Sequence, residues 1–401
     1  MFRKLLILII TAFVDMVGLL MVLPLMPYYA RELGAGSLMV TVMVVSFTAA
    51  QLLSAPLWGR FSDRYGRRPA LLVGLGAAAV AYVVFAYANS LWLLLLSRVI
   101  QGAGGGTVGV IQAYVADATE PQNRAKALGW LSAATNLGVA LGPPIGSLAL
   151  VGGRSGPGLL AAALCVINIV FAWKYLGESR DMEDARSSQR KPGASRAAIL
   201  RVLSHAKEPA PRLIWIYAIA MGAFSAITAI MPLFLADRFG ILEDRVWIFF
   251  TYIGMISVIT RIGVLGWAVD KFGEGRLSRL GLVLLGAGLA SFPFVHNYVL
   301  LAIGVALLPL GTAFTFPCVT SLLSRVIPSG ERGLYLGVQQ TYGGISRVII
   351  PLWAGFAYDS LGHGVPFLTS AALVIGTLLL RLGVDDGRNQ RTTTPLAAKP
   401  A

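Results

Sequence analysis

Apolar runs separated by short polar breaks cover the chain from near residue 5 to residue 383. Twelve of them reach the roughly 20 mostly apolar residues that a helix needs to cross the hydrocarbon core of a bilayer. Their approximate bounds are 5–29, 38–58, 69–88, 91–116, 126–150, 156–176, 211–236, 246–269, 278–296, 298–327, 333–358 and 364–383. The pattern predicts an all-α polytopic membrane protein with twelve transmembrane helices. One long polar stretch interrupts it, Gly177 to Arg212, which contains Ser187-Ser188-Gln189-Arg190-Lys191-Pro192-Gly193. It reads as a linker carrying a short interfacial helix near Ala197–Ala206. The expected organisation is a six-helix half over 1–176, a linker over 177–210, a second six-helix half over 211–383 and a tail over 384–401. Arg3 and Lys4 before an apolar run give the N-terminus the look of a secretory leader. The run continues to about Tyr29, carries Asp15 in its middle and has no small-x-small cleavage pattern, so a first span is expected.

The break between the second and third runs is Gly59-Arg60-Phe61-Ser62-Asp63-Arg64-Tyr65-Gly66-Arg67-Arg68. So dense a cluster of charge sits in water or among lipid headgroups. A weaker copy follows 207 positions later, Gly266-Trp267-Ala268-Val269-Asp270-Lys271-Phe272-Gly273-Glu274-Gly275-Arg276. Other pairs keep nearly the same offset: Gly104 with Gly311, Pro121 with Pro328, Leu128-Gly129 with Leu336-Gly337 and Met26-Pro27 with Met231-Pro232. The chain therefore reads as two copies of one unit. Six spans in each copy put both in the same orientation, a plan that places a substrate site between the halves near the midplane.

Composition agrees with this plan: 56% of residues are hydrophobic and 13% are charged, far from the balance of a water-soluble domain. The net charge of +14 does not mark a nucleic-acid binder, because the bases lie in short gaps between apolar runs and not on one face. They report topology instead. Most of the 33 Lys and Arg fall on one side of the alternating plan, with Arg31, Arg154, Arg238 and Arg245 on the other and Arg98, Arg261 and Arg347 inside spans. Both termini and the linker are thus expected to be cytoplasmic, in a protein integral to the inner (cell) membrane. Cys165 and Cys318 lie in apolar runs without paired-cysteine or Cys/His spacing, and His205, His296 and His363 are scattered, so neither a disulfide nor a metal site is expected. Gly102-x-Gly104-Gly105-Gly106 lacks the lysine of a phosphate cradle, which argues against nucleotide-driven chemistry.

Asp15 is the one acidic residue deep in any expected span. A charge there costs several kcal/mol unless it is hydrated, paired or protonated, as an order of magnitude, so Asp15 is a candidate proton carrier or cation-recognition site. The equivalent stretch of the second copy reads Ile219-Ala220-Met221, so the repeat itself does not require the acid. Arg98 lies about eight residues into span 4, where a long side chain partly snorkels. Arg347 is close to the midplane of span 11 and either holds an anionic substrate group or balances Asp15. Arg261, five residues before Gly266, reads as a snorkelling structural residue. Gln101, Gln112, Tyr114, Asn136, Tyr217 and Gln339 are candidate cavity-lining residues. Gly138, Gly142, Pro143, Pro144 and Gly146 let span 5 pack closely and bend.

Four stretches carry a resemblance. Gly59-x3-Asp63-Arg64-x-Gly66-Arg67-Arg68 resembles the loop between spans 2 and 3 of the major facilitator superfamily, and Leu94-x3-Arg98-x2-Gln101-Gly102 resembles its span-4 motif. Gly138-x3-Gly142-Pro143-Pro144-x-Gly146 resembles the span-5 antiporter motif, and Asp15-x2-Gly18-x5-Pro24-x2-Pro27 is similar to the first span of tetracycline exporters. The chain thus resembles the twelve-span drug:proton antiporter branch of that superfamily. The resemblance implies that Arg98 assists proton transfer by modulating a nearby acid. It also implies that Gly59, Asp63, Arg64, Gly66, Arg67 and Arg68 form a cytoplasmic latch with span 11 and with an acid at the end of span 4, which Asp117 matches in position. Tetracycline exporters carry further acids in spans 3 and 9. Here those spans read Ala79-Val80-Ala81-Tyr82 and Leu285-Gly286-Ala287-Gly288, so a metal-chelated tetracycline is not the expected substrate.

The expectation is a secondary transporter and not an enzyme: proton-coupled efflux of small amphipathic compounds by alternating access, driven by the proton gradient without a cofactor or metal. Its expected partners are a small-molecule substrate and the bilayer, and one chain with both halves is expected to act as a monomer. An organic-anion, sugar or other metabolite transporter of the same fold is the alternative. A channel or sensor would have no use for the matched halves and the membrane acid.

Overall fold

The computed structural model describes residues 2–119, 124–177, 194–205, 208–328 and 331–380. Most of the linker and the whole tail expected over 384–401 lie outside these residues. Each expected run is helical. Span 1 comprises Phe2–Val22 and Met26–Glu32, span 2 Ser37–Tyr65, span 3 Arg67–Ala86, span 4 Leu91–Gly104 and Thr107–Ala118, span 5 Arg124–Ala149 and span 6 Gly156–Tyr175. In the second half, span 7 is Pro209–Phe239, span 8 runs from Val246 to Phe272 through a π-helical turn at Thr260–Val264, span 9 is Glu274–Ser291 and span 10 is Tyr298–Val326. Ten of these segments are long and apolar enough to cross a membrane. Span 11, the more polar 29-residue helix Arg332–Ser360, and span 12, the shorter apolar Val365–Leu380, complete the twelve. Large apolar side chains such as Leu53, Trp92, Leu148 and Ile262 remain exposed on these segments. That costs nothing where lipid is the solvent, whereas every backbone polar group must be satisfied internally, which is why helices are the element used.

The charged stretch after span 2 is not a loop. The helix continues through Tyr65, beyond the end of the apolar run, because its charged side chains leave the bilayer while the backbone keeps its hydrogen bonds. Only Gly66 breaks it, with φ +102, and span 3 begins at the next residue. Gly273, the equivalent position 207 residues later, has φ +78 and is followed at once by span 9. Both turns use a left-handed conformation that costs a residue with a Cβ, so the sequence repeat is also a repeat of backbone geometry.

The end of the bundle that carries Gly59–Arg68 is here termed the basic end, and the end that carries Arg31 and Glu32 the far end. The two halves meet along the far end and the middle. Gly355 of span 11 packs on Ser37 and Thr41 of span 2, and Gly344 faces Leu52. Thr251 of span 8 donates to the Ala140 carbonyl at 3.5 Å, and Gly254 packs on Ala140. Tyr28 donates to the Ile241 carbonyl at 3.0 Å. Within the first half, Cβ atoms at Gly142 or Gly146 would run into the Leu20 side chain or the Met21 carbonyl of span 1, so these glycines set how closely spans 1 and 5 approach. The helix expected over Ala197–Ala206 forms as Ala194–Ser204. It docks on the second half and not merely on lipid: Ala198 and Val202 are buried, Trp215 donates to the Val202 carbonyl at 3.3 Å and Tyr342 to the Ile199 carbonyl at 3.0 Å.

Candidate functional site

Span 4 is broken at Gly105 and Gly106, and the break builds a polar cluster inside the first half. Breaking a helix in a membrane frees backbone carbonyls that need donors. Span 2 supplies them: Gln51 Nε2 donates to the Gly105 carbonyl at 2.8 Å, the Trp58 indole to that of Ala103 at 2.5 Å and Ser54 to that of Gly102 at 3.4 Å. The second segment starts at Thr107, whose hydroxyl donates to Asp15 Oδ2 at 3.1 Å. Asp15 is half-buried and lines two small voids. One of about 40 Å³ is lined by Phe47, Gln51, Tyr82, Gln101 and Thr107; the other, of about 90 Å³, is lined by Gln112, Leu131, Ser132 and Thr135. Both exceed the space that a water molecule needs.

Arg98 does not snorkel. It is 1% exposed, its guanidinium donates to Gln101 Oε1 and lies 4.7 Å from the centre of the Phe47 ring, and its Nε has no partner. Buried Tyr82 lies against Gln101 and Gly18, linking the Arg98 pair to span 1. Thr107, Tyr82 and Gln51 were not singled out by the sequence, although the run of glycines at 104–106 marks the break that positions Thr107.

A larger cavity of about 690 Å³ lies between the halves toward the basic end. Span 2 contributes Gln51, Leu52, Ala55, Trp58 and Asp63, and span 11 contributes Gly337, Gln340, Thr341, Gly344 and Arg347. Its volume is that of a site for a drug-sized molecule. Arg347 is therefore in the wall, but it lines a different cavity from Asp15. Several residues expected in the wall are elsewhere. Gln339 is fully buried and accepts from Thr320 at 3.3 Å, while its neighbour Gln340 takes the wall position. Tyr114 is fully buried, donates to the Gly177 carbonyl and borders none of these three cavities. Asn136 donates to the Ser132 carbonyl of its own helix at 2.8 Å. Tyr217 stands behind the wall, its hydroxyl accepting from Gln340 Nε2 at 3.3 Å. Gln112 and Gln101 border the voids beside Asp15. Arg261 is half-buried, and its Nε is buried without a partner.

At the basic end Asp63 at the end of span 2 pairs with Arg67 at the start of span 3 at 3.0 Å across the break at Gly66, Arg67 also donates to Ser62 at 3.0 Å, and Arg68 donates to the Trp173 carbonyl. Gly59 and Asp63 line the cavity mouth opposite Gly337, while Arg64 is exposed with its guanidinium over the Tyr65 ring. The side chain of Asp117 lies outside the described residues. In span 5, Gly138, Gly142 and Gly146 face span 1, and Pro143 and Pro144 sit within the continuous helix.

The far end carries a lock that the sequence did not disclose. Arg31 of the first half meets Asp237 of the second through two hydrogen bonds of 2.6 and 2.9 Å. Tyr358 donates to the same carboxylate at 2.8 Å and stacks on His363 at 4.4 Å. Nearby, Asp359 of span 11 accepts the Leu38 backbone N–H at 3.0 Å, which caps the positive start of span 2 from the other half.

The comparisons with known proteins agree with this architecture. The chain is 26% identical over 371 residues to the tetracycline resistance protein, class B, of Escherichia coli, covering 92% of this chain and 91% of that one. It is 28% identical over 377 residues to multidrug resistance protein 1 of Bacillus subtilis (strain 168), covering 93% and 94%. Among solved structures, the human organic anion transporter MFSD10 (TETRAN) superposes with a TM-score of 0.68 at 23% identity, covering 94% of this chain and 98% of that one. The family model of the Major Facilitator Superfamily matches residues 8–351 and, overlapping them, 253–401. Two six-helix halves, a cavity between them and a match over nearly the whole length lead to one conclusion: the chain belongs to the Major Facilitator Superfamily.

Proposed function

We propose that this protein exports small amphipathic compounds in exchange for protons. Names of relatives that match along more than nine-tenths of this chain, a tetracycline resistance and a multidrug resistance protein, favour export over uptake of a metabolite. In this reading the basic end and both termini face the cytoplasm of a cell whose inner membrane holds the protein. The structure is then the inward-open state, with its cavity open to cytoplasmic substrate and its far end locked. Residues 1–176 and 211–383 rock against each other about that cavity, and the linker joins them. One chain supplies both halves and acts as a monomer, with the proton gradient as the energy source in place of a cofactor.

The observation that carries the proposal is Asp15, the one carboxylate set deep in the membrane, with a single hydroxyl donor at 3.1 Å and two hydratable voids that it lines. It supports a residue that takes a proton when the far end is open and releases it when the basic end is open. Arg98, held by Gln101 and Phe47, biases that exchange electrostatically without contacting the carboxylate. Asp63, Arg67, Arg68 and their neighbours act as a latch that closes the cytoplasmic mouth in the other state, and span 5 provides a stiff hinge element against span 1. Cells expressing the wild type should extrude ethidium in a manner abolished by a protonophore. Asp15→Asn should lose this gradient-driven extrusion and Asp15→Glu should keep part of it. Undiminished, protonophore-sensitive extrusion by Asp15→Asn would refute the role of Asp15.

A further inference from the structure

The membrane interior of the second half holds two cations and no anion. Its acidic residues, Asp237, Glu243, Asp244, Asp270, Glu274, Glu331 and Asp359, all lie at or near span ends. Arg261 on span 8 and Arg347 on span 11 have neither an ion pair nor a hydrogen bond among the described residues, and the Nε of each is buried and unpartnered. Tyr217 is within electrostatic reach of both guanidiniums. Its hydroxyl accepts from the Gln340 amide, and its own proton has no acceptor among the described residues. Arg347 and Gln340 reach the wall of the cavity of about 690 Å³. The Arg347 guanidinium and the Gln340 amide therefore line the cavity with the Tyr217 phenol behind them, and neither guanidinium has a protein acceptor among the described residues. Buried charge persists at such a cost only where something compensates it, and Asp15 lines a different cavity. Across the same cavity, Leu52, Ala55 and Trp58 of span 2 present an apolar face.

We propose that Arg347 and Gln340, backed by Tyr217 and Arg261, form a site for the anionic group of an amphipathic organic acid, a carboxylate whose aryl or alkyl body lies against Leu52, Ala55 and Trp58. This names the substrate class for the export reading and rests on it. Guanidiniums bind carboxylates through paired, charge-assisted hydrogen bonds, and the Gln340 amide, held from behind by Tyr217, lies beside Arg347 in the same wall.

The test uses full-length protein in phosphatidylcholine nanodiscs and calorimetric titration with matched pairs: 4-phenylbutyrate with 4-phenylbutyramide, 1-naphthaleneacetate with its amide, and octanoate with octanamide. Inorganic phosphate serves as a control. At least one carboxylate should bind about tenfold or more tighter than its amide, the discrimination expected of a charge-assisted pair. The preference should vanish in Arg347→Gln, fall in Arg261→Gln and survive in Arg347→Lys. Failure of every pair to show a carboxylate preference, an unchanged preference in the Arg347→Gln/Arg261→Gln double variant, or phosphate binding as tightly as the acids would overturn the proposal. Protonophore-sensitive extrusion of the tightest-binding carboxylate, and of ethidium, measured in the same variants, separates the two ideas. If wild-type extrusion is intact but there is no carboxylate preference, the site is wrong and the export reading stands. A carboxylate preference without any gradient-driven extrusion refutes the export reading instead.

Discussion

Replacing Asp237 by Asn should unlock the far end. In the structure Arg31 and Asp237 are joined by two hydrogen bonds of 2.6 and 2.9 Å, with side chains 32% and 26% exposed. A fully exposed pair contributes about 0–1 kcal/mol. This one is partly shielded, bidentate and reinforced by the 2.8 Å bond from Tyr358, so its loss is expected to cost about 2 kcal/mol. The pair bridges the halves and must separate for the far end to open, so the whole of that energy biases the inward-open state. At 1.4 kcal/mol per tenfold, a loss of about 2 kcal/mol raises the outward-to-inward ratio about 30-fold. A minor state populated at about 1% would rise to about one fifth. Spin labels at Val151 and Leu361, both exposed at the far end on opposite halves, would report the change by double electron–electron resonance in a background lacking the buried Cys165 and Cys318. Asp237→Asn should add a longer-distance population, and the exchanged pair Arg31→Asp/Asp237→Arg should largely remove it. An unchanged distance distribution in Asp237→Asn would refute the lock.

Other consequences follow from the packing and the charges. Gly146→Ala should lower thermal stability in detergent by about 1–3 kcal/mol, because the added methyl meets the Met21 carbonyl. Gly129→Ala on the same helix has open space and should be neutral or stabilising by about 0.5–1 kcal/mol; equal losses would contradict the packing role. Asp63→Asn should impair transport several-fold more than Asp270→Asn, since Asp63 lines the cavity mouth and pairs with Arg67, and equal impairment would argue for a symmetric latch. Arg347→Gln should raise the melting temperature of ligand-free protein, equivalent to about 1 kcal/mol, by removing an uncompensated charge. A lower melting temperature would mean that the arginine is structural.

Much of this architecture is legible in the sequence because apolar run length and base asymmetry respond directly to the bilayer. The repeat is legible because Gly66 and Gly273 do the same backbone work in both halves. The helical continuation to Tyr65 was hidden, since hydropathy records where a helix leaves lipid and not where it ends. Arg98 was expected to snorkel from its depth alone, but Gln101 one turn away and the Phe47 ring hold it inside. Cavity residues were harder still. Gln339 and Gln340 are adjacent, and one residue of rotation, about 100° on a helix, decides which faces the cavity. The lock of Arg31 with Asp237 joins residues 206 apart at span ends, where isolated charges are ordinary, so only the docking of the two halves reveals it.

Export coupled to protons through Asp15 requires that substrate movement carry a proton flux. In proteoliposomes loaded with a pH-sensitive dye and held at zero membrane potential, adding a transported substrate should move protons opposite to it in the wild type. Asp15→Asn should bind the substrate with no proton movement and no uphill transport. Substrate-driven proton flux of wild-type size in Asp15→Asn would rule out coupling through this carboxylate.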